Sequence, residues 1–202
     1  MKRQAQTTIP TQWGNFKMVA YSTDINEPMP HLAMVHEDFN PEVPTLVRIH
    51  SECLTGDLFT SKRCDCGEQL DEAMRQAARH GGVVVYLRQE GRGIGLINKL
   101  KAYNLQDEGL NTIDANTHLG LEIDSRQYES AITILKDLKI KSINLLTNNP
   151  LKIKAIEDSD IEVKKRIALV IPPKAENLGY LKTKEELMGH LFHINGKAKS
   201  VS

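Results

Sequence analysis

Three cysteines lie within fourteen residues, Cys53, Cys64 and Cys66, in the pattern C-x10-C-x-C. Cysteines at i and i+2 make a poor disulfide, because the loop between them is too tight for the bond's geometry. From a turn, both can face one metal. Three thiolates suit Zn²⁺, and three protein ligands leave a fourth position for water. A closed structural site wants a fourth ligand, and the nearest candidates are His50 and then His80. Spacing alone leaves open and closed zinc equally available. Zinc nucleobase deaminases use an H-x-E…P-C-x-x-C pattern. This chain has no P-C-x-x-C, so that fold is excluded, while hydrolysis at a purine-like carbon stays chemically open.

A second group is Gln89-Glu90-Gly91-Arg92-Gly93-Ile94-Gly95. Glycines between a strand and a helix let backbone N–H groups approach phosphate oxygens, and a helix N-terminus favours the anion. The spacing G-x-G-x-G is one residue short of the dinucleotide fingerprint, and no P-loop is present. A carboxylate such as Glu90 can accept from the ring N–H and exocyclic amine of guanine together, and Arg92 can meet a phosphate. On residue type alone, both are equally explained as surface charges on a turn. Asn98-Lys99-Leu100-Lys101 superficially resembles a GTPase base-reading motif, but the final Asp is missing. Asp124-Ser125-Arg126 reads first as a helix N-cap. Thr147-Asn148-Asn149-Pro150-Leu151-Lys152 reads as a polar turn closed by proline, at a strand end of the kind where α/β sheets bind ligands.

These groups need elements to position them. Residues 12–21, 31–37 and 44–51 read as short strands among Gly, Asn and Pro breakers. Residues 67–80 predict a helix, with Leu70, Ala73, Met74, Ala77 and Ala78 as its buried stripe and Gly81-Gly82 as its stop. Gly82–Arg88 reads as a buried central strand. A helix follows over 94–106, carrying Ile97, Leu100 and Leu105, then a loop through 109–120. A helix over 125–138 presents Tyr128, Ala131, Ile132, Leu135 and Leu138 on one face. Strands over 141–147 and 161–171 flank a helix that Pro150 opens, and Thr183–Phe192 reads as a last helix. The pattern predicts an α/β fold, layered α/β/α around a mixed central sheet, with a hairpin-rich N-terminal part. One catalytic domain over 1–194 is expected, with a polar, disordered tail over 195–202.

Composition bounds the function. The chain has 202 residues, with 26 Lys plus Arg against 26 Asp plus Glu, so its formal net charge is zero. Binding a nucleic-acid polymer leans on many surplus basic residues, and only 5% of residues are aromatic, which disfavours base-stacking platforms. No apolar run approaches the ~20 residues that span a bilayer. The N-terminal MKRQAQTTIP lacks the apolar core of a signal peptide. A reducing cytoplasm is the expected location, where clustered cysteines point to metal or reactive thiols. The neutral total hides blocks of one sign: five acids and no bases over 21–44 and again over 104–124, and mostly bases over 80–103 and 130–155.

The stretches R-I-H-S-E-C-L-T-G-D at 48–57, R-C-D-C-G at 63–67, R-Q-E-G-R-G-I-G-L at 88–96 and L-T-N-N-P at 146–150 together closely resemble GTP cyclohydrolase II. The resemblance runs from about residue 10 to 193. It implies the zinc enzyme that opens riboflavin biosynthesis. GTP and water would give formate, pyrophosphate and a 2,5-diamino-6-(phosphoribosylamino)pyrimidinone. The length corresponds to the monofunctional form of the family. The resemblance implies one catalytic Zn²⁺ on Cys53, Cys64 and Cys66, and Mg²⁺ accompanying the triphosphate. It implies a nucleotide site of Arg48, Ile49, His50, Ser51, Glu52, Gln69, Glu90, Gly91, Arg92, Thr112, Thr147 and Lys152. Asp124 corresponds to the family's proton acceptor, Arg126 to its proposed nucleophile and Tyr103 to a catalytic tyrosine. A homodimer is implied, with Leu187–Phe192 available to take part. Two rival readings are a relative that stops at the formamide and a nucleotide sensor whose zinc His50 closes.

Overall fold

The protein, described from a computed structural model over residues 1–174, 176–178, 185, 189 and 191, is built on one seven-stranded sheet. Its strands are β1 (Lys2–Thr11), β2 (Gly14–Ser22), β3 (His31–His36), β4 (Thr45–Ser51), β5 (Val83–Leu87), β6 (Ser142–Leu146) and β7 (Glu162–Ile167). The helices are α1 (Leu54–Asp57), α2 (Cys66–His80), α3 (Leu96–Asp107), α4 (Thr112–His118), α5 (Glu129–Asp137) and α6 (Pro150–Glu157). The spatial order is β1-β2-β3-β5-β4-β6-β7. The first three strands meander antiparallel into β5, while β5, β4, β6 and β7 run parallel. The expected mixed sheet is therefore present.

The period-2 alternation of the strands divides the core into two layers. Val47 and Ile49 of β4, Val83, Val85 and Leu87 of β5, and Ile143 and Leu145 of β6 face one cluster, closed by Ala131, Ile134 and Leu135 of α5 and Ile156 of α6. Leu46, Val84 and Leu146 face the other, closed by Ala73 and Ala77 of α2. On this second face the next positions along β4 are Arg48 and His50, both buried. The strand that anchors the core thus carries charged groups straight towards its own carboxyl end.

Several elements depart from the sequence expectation. The N-terminal hairpin is β1 with β2, paired from Lys2 with Ser22 to Thr11 with Gly14. The strand expected over 12–21 holds its turn and most of β2. β1 is an edge strand, mostly exposed, so it lacks the apolar alternation that would reveal it. Its Lys2, Arg3 and Pro10 suit an edge. The expected loop over 109–120 contains α4, whose start Asn111 caps by accepting from the N–H groups of Ile113 and Asp114. On α3 the expected apolar face is turned outward: Ile97 and Leu100 are 72% and 46% exposed, while Lys99 and Ala102 are buried. α5 starts at Glu129, not 125, because Asp124 accepts from the backbone N–H of Arg126 and from its side chain, holding a tight turn instead of a cap. The last strand ends at Ile167, not 171. The helix expected over 183–192, apart from residues 185, 189 and 191, and the tail over 195–202 lie outside the described residues.

Candidate active site

The three parallel strands β4, β5 and β6 end at the same edge of the sheet, and each runs into one of the segments singled out above. β4 leads into Glu52 and Cys53, β5 into Glu90–Gly95, and β6 into Thr147–Lys152. From β4 the chain continues to β5 on one side, and from β6 to β7 on the other, so β4 and β6 flank the topological switch point. That is where open α/β sheets form their ligand crevice. A cleft of about 1090 Å³, counted to its open mouth, occupies this place.

One wall is the cysteine cluster. The sulfur atoms of Cys53, Cys64 and Cys66 lie within 4.8 Å of one another, with Cys53 and Cys64 Sγ 3.6 Å apart. Cys66 is the first residue of α2, where the helix dipole favours a thiolate. Gly56 of α1 leaves room for the sulfurs, since a Cβ there would stand 2.8 Å from Cys64 Sγ and 3.1 Å from Cys66 Cβ. Hydrogen bonding from Cys64 and Cys66, with the charge of Lys99, holds Cys53 far towards its thiolate form. Sharing with Cys53 and burial push Cys64 up to about 11 and Cys66 well above the ordinary thiol range. Cys53 is thus the cysteine held most firmly as a thiolate, and metal uptake would release protons from its neighbours. The donor set, its spacing and the glycine cradle fit Zn²⁺ held by three thiolates.

Neither fourth-ligand candidate joins them. His80 ends the helix that Cys66 begins, roughly 21 Å away at 1.5 Å per residue. His50 Nε2 is 3.1 Å from both carboxylate oxygens of Asp57. Asp57 also accepts from the Cys53 backbone N–H at 2.9 Å and from the Tyr86 hydroxyl at 2.8 Å. The His50 ring stacks on Tyr86 with centroids 5.4 Å apart. Burial lowers the His50 pKa, outweighing the pull of Asp57. Its Nδ1 is buried and has no hydrogen-bond partner among the described residues. Asp57 thus ties the Cys53 loop to β4 and β5, and among the described residues the candidate metal ligands are the three cysteines.

The same cleft gathers four cations, Arg48, Arg92, Arg126 and Lys152. Arg48 donates to Gln69 Oε1 at 2.6 Å and to the Leu146 carbonyl at 3.1 Å, across the β4–β6 junction. Gln69 in turn donates to Asp65. Burial pushes the Arg48 guanidinium down to about 10, with Asp65 working against the fall, so it stays charged at neutral pH. Lys152 of α6 is buried, donates to the Ile49 carbonyl at 2.8 Å and lies 5.8 Å from the Tyr128 ring centre. Arg92 and Arg126 line the same cleft. Arg126 makes a two-pronged ion pair with Asp124. Burial of Asp124 acts against ionisation, but the hydrogen bond from Arg126 prevails and keeps the carboxyl below its usual range. Arg92 has a left-handed backbone, φ 62°, between Gly91 at 62° and Gly93 at 91°, the kind of local strain that functional loops retain.

A family model described as GTP cyclohydrolase II matches residues 2–168. The chain belongs to the GTP cyclohydrolase II family. Among curated proteins it is 50% identical over 193 residues to riboflavin biosynthesis protein RibBA of Bacillus cereus, covering 95% of this chain and 48% of that protein. It is likewise 50% identical to RibBA of Bacillus mycoides and 47% identical to that of Bacillus cytotoxicus, with the same coverage. The chain spans about half the length of these relatives. Among solved structures it resembles RibBX, a two-domain 3,4-dihydroxy-2-butanone 4-phosphate synthase from A. baumannii. The TM-score is 0.47 at 24% identity, over 83% of this chain and 40% of that one.

Most residues that the GTP cyclohydrolase II resemblance marks come together here. Arg48, His50, Ser51, Glu52, the three cysteines, Gln69, Glu90, Gly91, Arg92, Tyr103, Thr112, Arg126, Thr147 and Lys152 all line the cleft. Ile49 does not. Its side chain is fully buried in the α5 core, and what it offers the site is the carbonyl that holds Lys152. Asp124 stands behind Arg126 rather than on the wall. The Glu90 carboxylate accepts from Leu54 N–H at 2.6 Å, Gly91 N–H at 2.8 Å and Lys99 Nζ at 2.7 Å. These bonds join the loop after β5 to the loop carrying Cys53, while Glu90 also lines the cleft. Sequence reasoning missed Asp57, Lys99, Asn148 and Asn149. Asp57 and the two asparagines stood inside the quoted motifs without an assigned role, and Lys99 was masked by the apolar neighbours of its helix.

Proposed function

We propose that this chain converts GTP and water to formate, pyrophosphate and the diaminopyrimidinone ribosyl phosphate, the first committed step of riboflavin biosynthesis. The observation that carries the reading is one cleft that brings a three-cysteine cluster together with Arg48, Arg92, Arg126 and Lys152. Family membership supports the same reaction. A zinc ion on Cys53, Cys64 and Cys66 supplies Lewis acidity and activates water near neutral pH. The four cations take the triphosphate, which brings Mg²⁺ as its counter-ion. Tyr103 serves proton transfer at the base end. Its ring has Arg63 4.8 Å and Lys99 5.7 Å from the centre.

At the phosphate end, the two-pronged pairing with Asp124 favours a protonated Arg126 that stabilises charge developing on the α-phosphate. A covalent guanidine nucleophile would first have to lose its proton, with Asp124 as the adjacent acceptor. Arg126→Lys should then retain pyrophosphate release at a reduced rate, without a guanylyl adduct. An adduct trapped on Arg126 of the unaltered protein would establish the covalent route instead.

The deciding experiment incubates zinc-loaded protein with GTP and Mg²⁺ and measures formate and pyrophosphate together. Equal yields are expected. Pyrophosphate alone would indicate the relative that stops at the formamide, and neither product with retained GTP binding would indicate a sensor. We further propose a cytoplasmic homodimer. Among the described residues no helix is long and apolar enough to cross a membrane.

A further inference from the structure

We propose that Lys99 is the charge-balancing, positioning residue of the metal centre, joining the thiolate cluster to the loop after β5. Its Nζ lies 3.1 Å from Cys53 Sγ and 2.7 Å from Glu90 Oε1. Both the Lys99 and Glu90 side chains are about 10% exposed. The inference rests on the metal reading of Cys53, Cys64 and Cys66.

Charge counting explains the placement. Three thiolates with one divalent ion carry a net charge of −1, and Glu90 adds another at the same wall. Buried charges are tolerated only when paired and hydrogen-bonded. An ammonium between Cys53 and Glu90 serves both anions at once. Without it, two like charges would face each other in a site partly removed from water.

The helix supports this assignment. α3 turns Ile97 and Leu100 outward and buries Lys99 with Ala102. A helix free to follow its hydrophobic pattern would do the reverse. The loop before it is arranged to the same end. Gly95 precedes the helix at φ 82°, and its carbonyl accepts from the Lys99 N–H, which places Lys99 in the first turn. A Cβ on Gly91 would come within 3.2 Å of Lys99 Cβ, so the glycine loop packs directly on the lysine stem. Groups that hydrogen-bond a metal ligand commonly govern affinity by about 10- to 100-fold when removed.

The test compares wild type, Lys99→Met and Lys99→Arg. Zinc affinity is measured by competition with a chromophoric chelator, and the Co²⁺ forms are examined by absorption. Lys99→Met should bind zinc about 10- to 100-fold more weakly, while Lys99→Arg should stay within about threefold of wild type. An N–H donor lowers the energy of sulfur lone pairs, so the sulfur-to-cobalt charge-transfer bands should move to lower energy in Lys99→Met and return in Lys99→Arg. Affinity in Lys99→Met within threefold of wild type would overturn the proposal. So would equal loss in both variants, or a loss without a band shift. If far-UV circular dichroism shows Lys99→Met unfolded, Lys99→Leu, which also lacks a donor, replaces it with the same expectations. Failure of the wild type to take up either metal would instead overturn the metal reading itself.

Discussion

The side chain of Cys66 begins α2 and closes a cluster whose volume is set by the absence of a Cβ at Gly56. Ser in its place keeps the shape and removes a soft thiolate ligand. Cys66→Ser should therefore stay folded, lose stoichiometric zinc and release formate at a rate lower by about two orders of magnitude or more. Arg48, Arg92, Arg126 and Lys152 do not depend on the metal for their positions, so measurable pyrophosphate release should persist. Loss of both products from a folded Cys66→Ser protein would show that the two halves of the reaction are not separable. The cysteines were readable from sequence because three of them at this spacing have few uses other than holding a metal. Asp57 was not, because its role is to hold His50, Tyr86 and the Cys53 backbone at once, and of these three only Cys53 adjoins its own short helix.

Among the elements, the loop between β5 and α3 carries the most conformational constraint. The Ser125 N–H donates to the Arg92 carbonyl at 3.0 Å, and a Cβ on Gly93 would meet Ser125 Cβ at 3.1 Å in a left-handed backbone. Gly93→Ala is expected to cost about 1–2 kcal/mol locally and to shift Arg92 and the 124–126 turn apart. Steady-state kinetics should show a raised KM for GTP with zinc content unchanged. The hairpin is tied to α5 by Asp137, which accepts from Arg3 and from the Tyr21 hydroxyl at 2.7 Å. Burial of Asp137 acts against ionisation, but the bonds from Tyr21 and Arg3 prevail and lower its pKa below 3.8. A lowered carboxylate pKa stabilises the fold above the unfolded value, and that stability is lost as pH falls through the folded value. Asp137→Asn should thus cost about 1 kcal/mol or less at pH 7, since the pair is partly exposed and screened. The difference from wild type should shrink below pH 4, as read by urea unfolding. Element boundaries were legible where a buried stripe repeats, as on α2, whereas on α5 the stripe was legible but not the start. They were not on β1, α3 and α4, where pairing to a neighbour or the aim of one polar side chain overrides the pattern.

For the whole molecule, the expected oligomer can be weighed against what the surface exposes. Leu58, Phe59, Ile97 and Leu100 are all exposed on or near the elements that frame the cleft. A homodimer that covers such residues should sediment at twice the mass of the chain at micromolar concentration. Charged replacements at Ile97 and Leu100 should shift it towards the monomer if they lie in the interface, whereas a wild type that sediments as monomer would count against the dimer. By itself the sequence determined the mixed α/β class and the clustering of three cysteines, which depend on residue type and short-range spacing, while most cleft residues were marked by the resemblance to GTP cyclohydrolase II. The tertiary structure alone decided that Ile49 serves through its carbonyl, that Glu90 is bound to the loop carrying Cys53, and that neither His50 nor His80 closes the cluster. It also decided that α3 buries a lysine in preference to two aliphatic side chains. Each of these turns on which atom of a residue meets a partner tens of positions away. That follows from the parallel ends of β4, β5 and β6 meeting at one edge of the sheet, which no local pattern encodes.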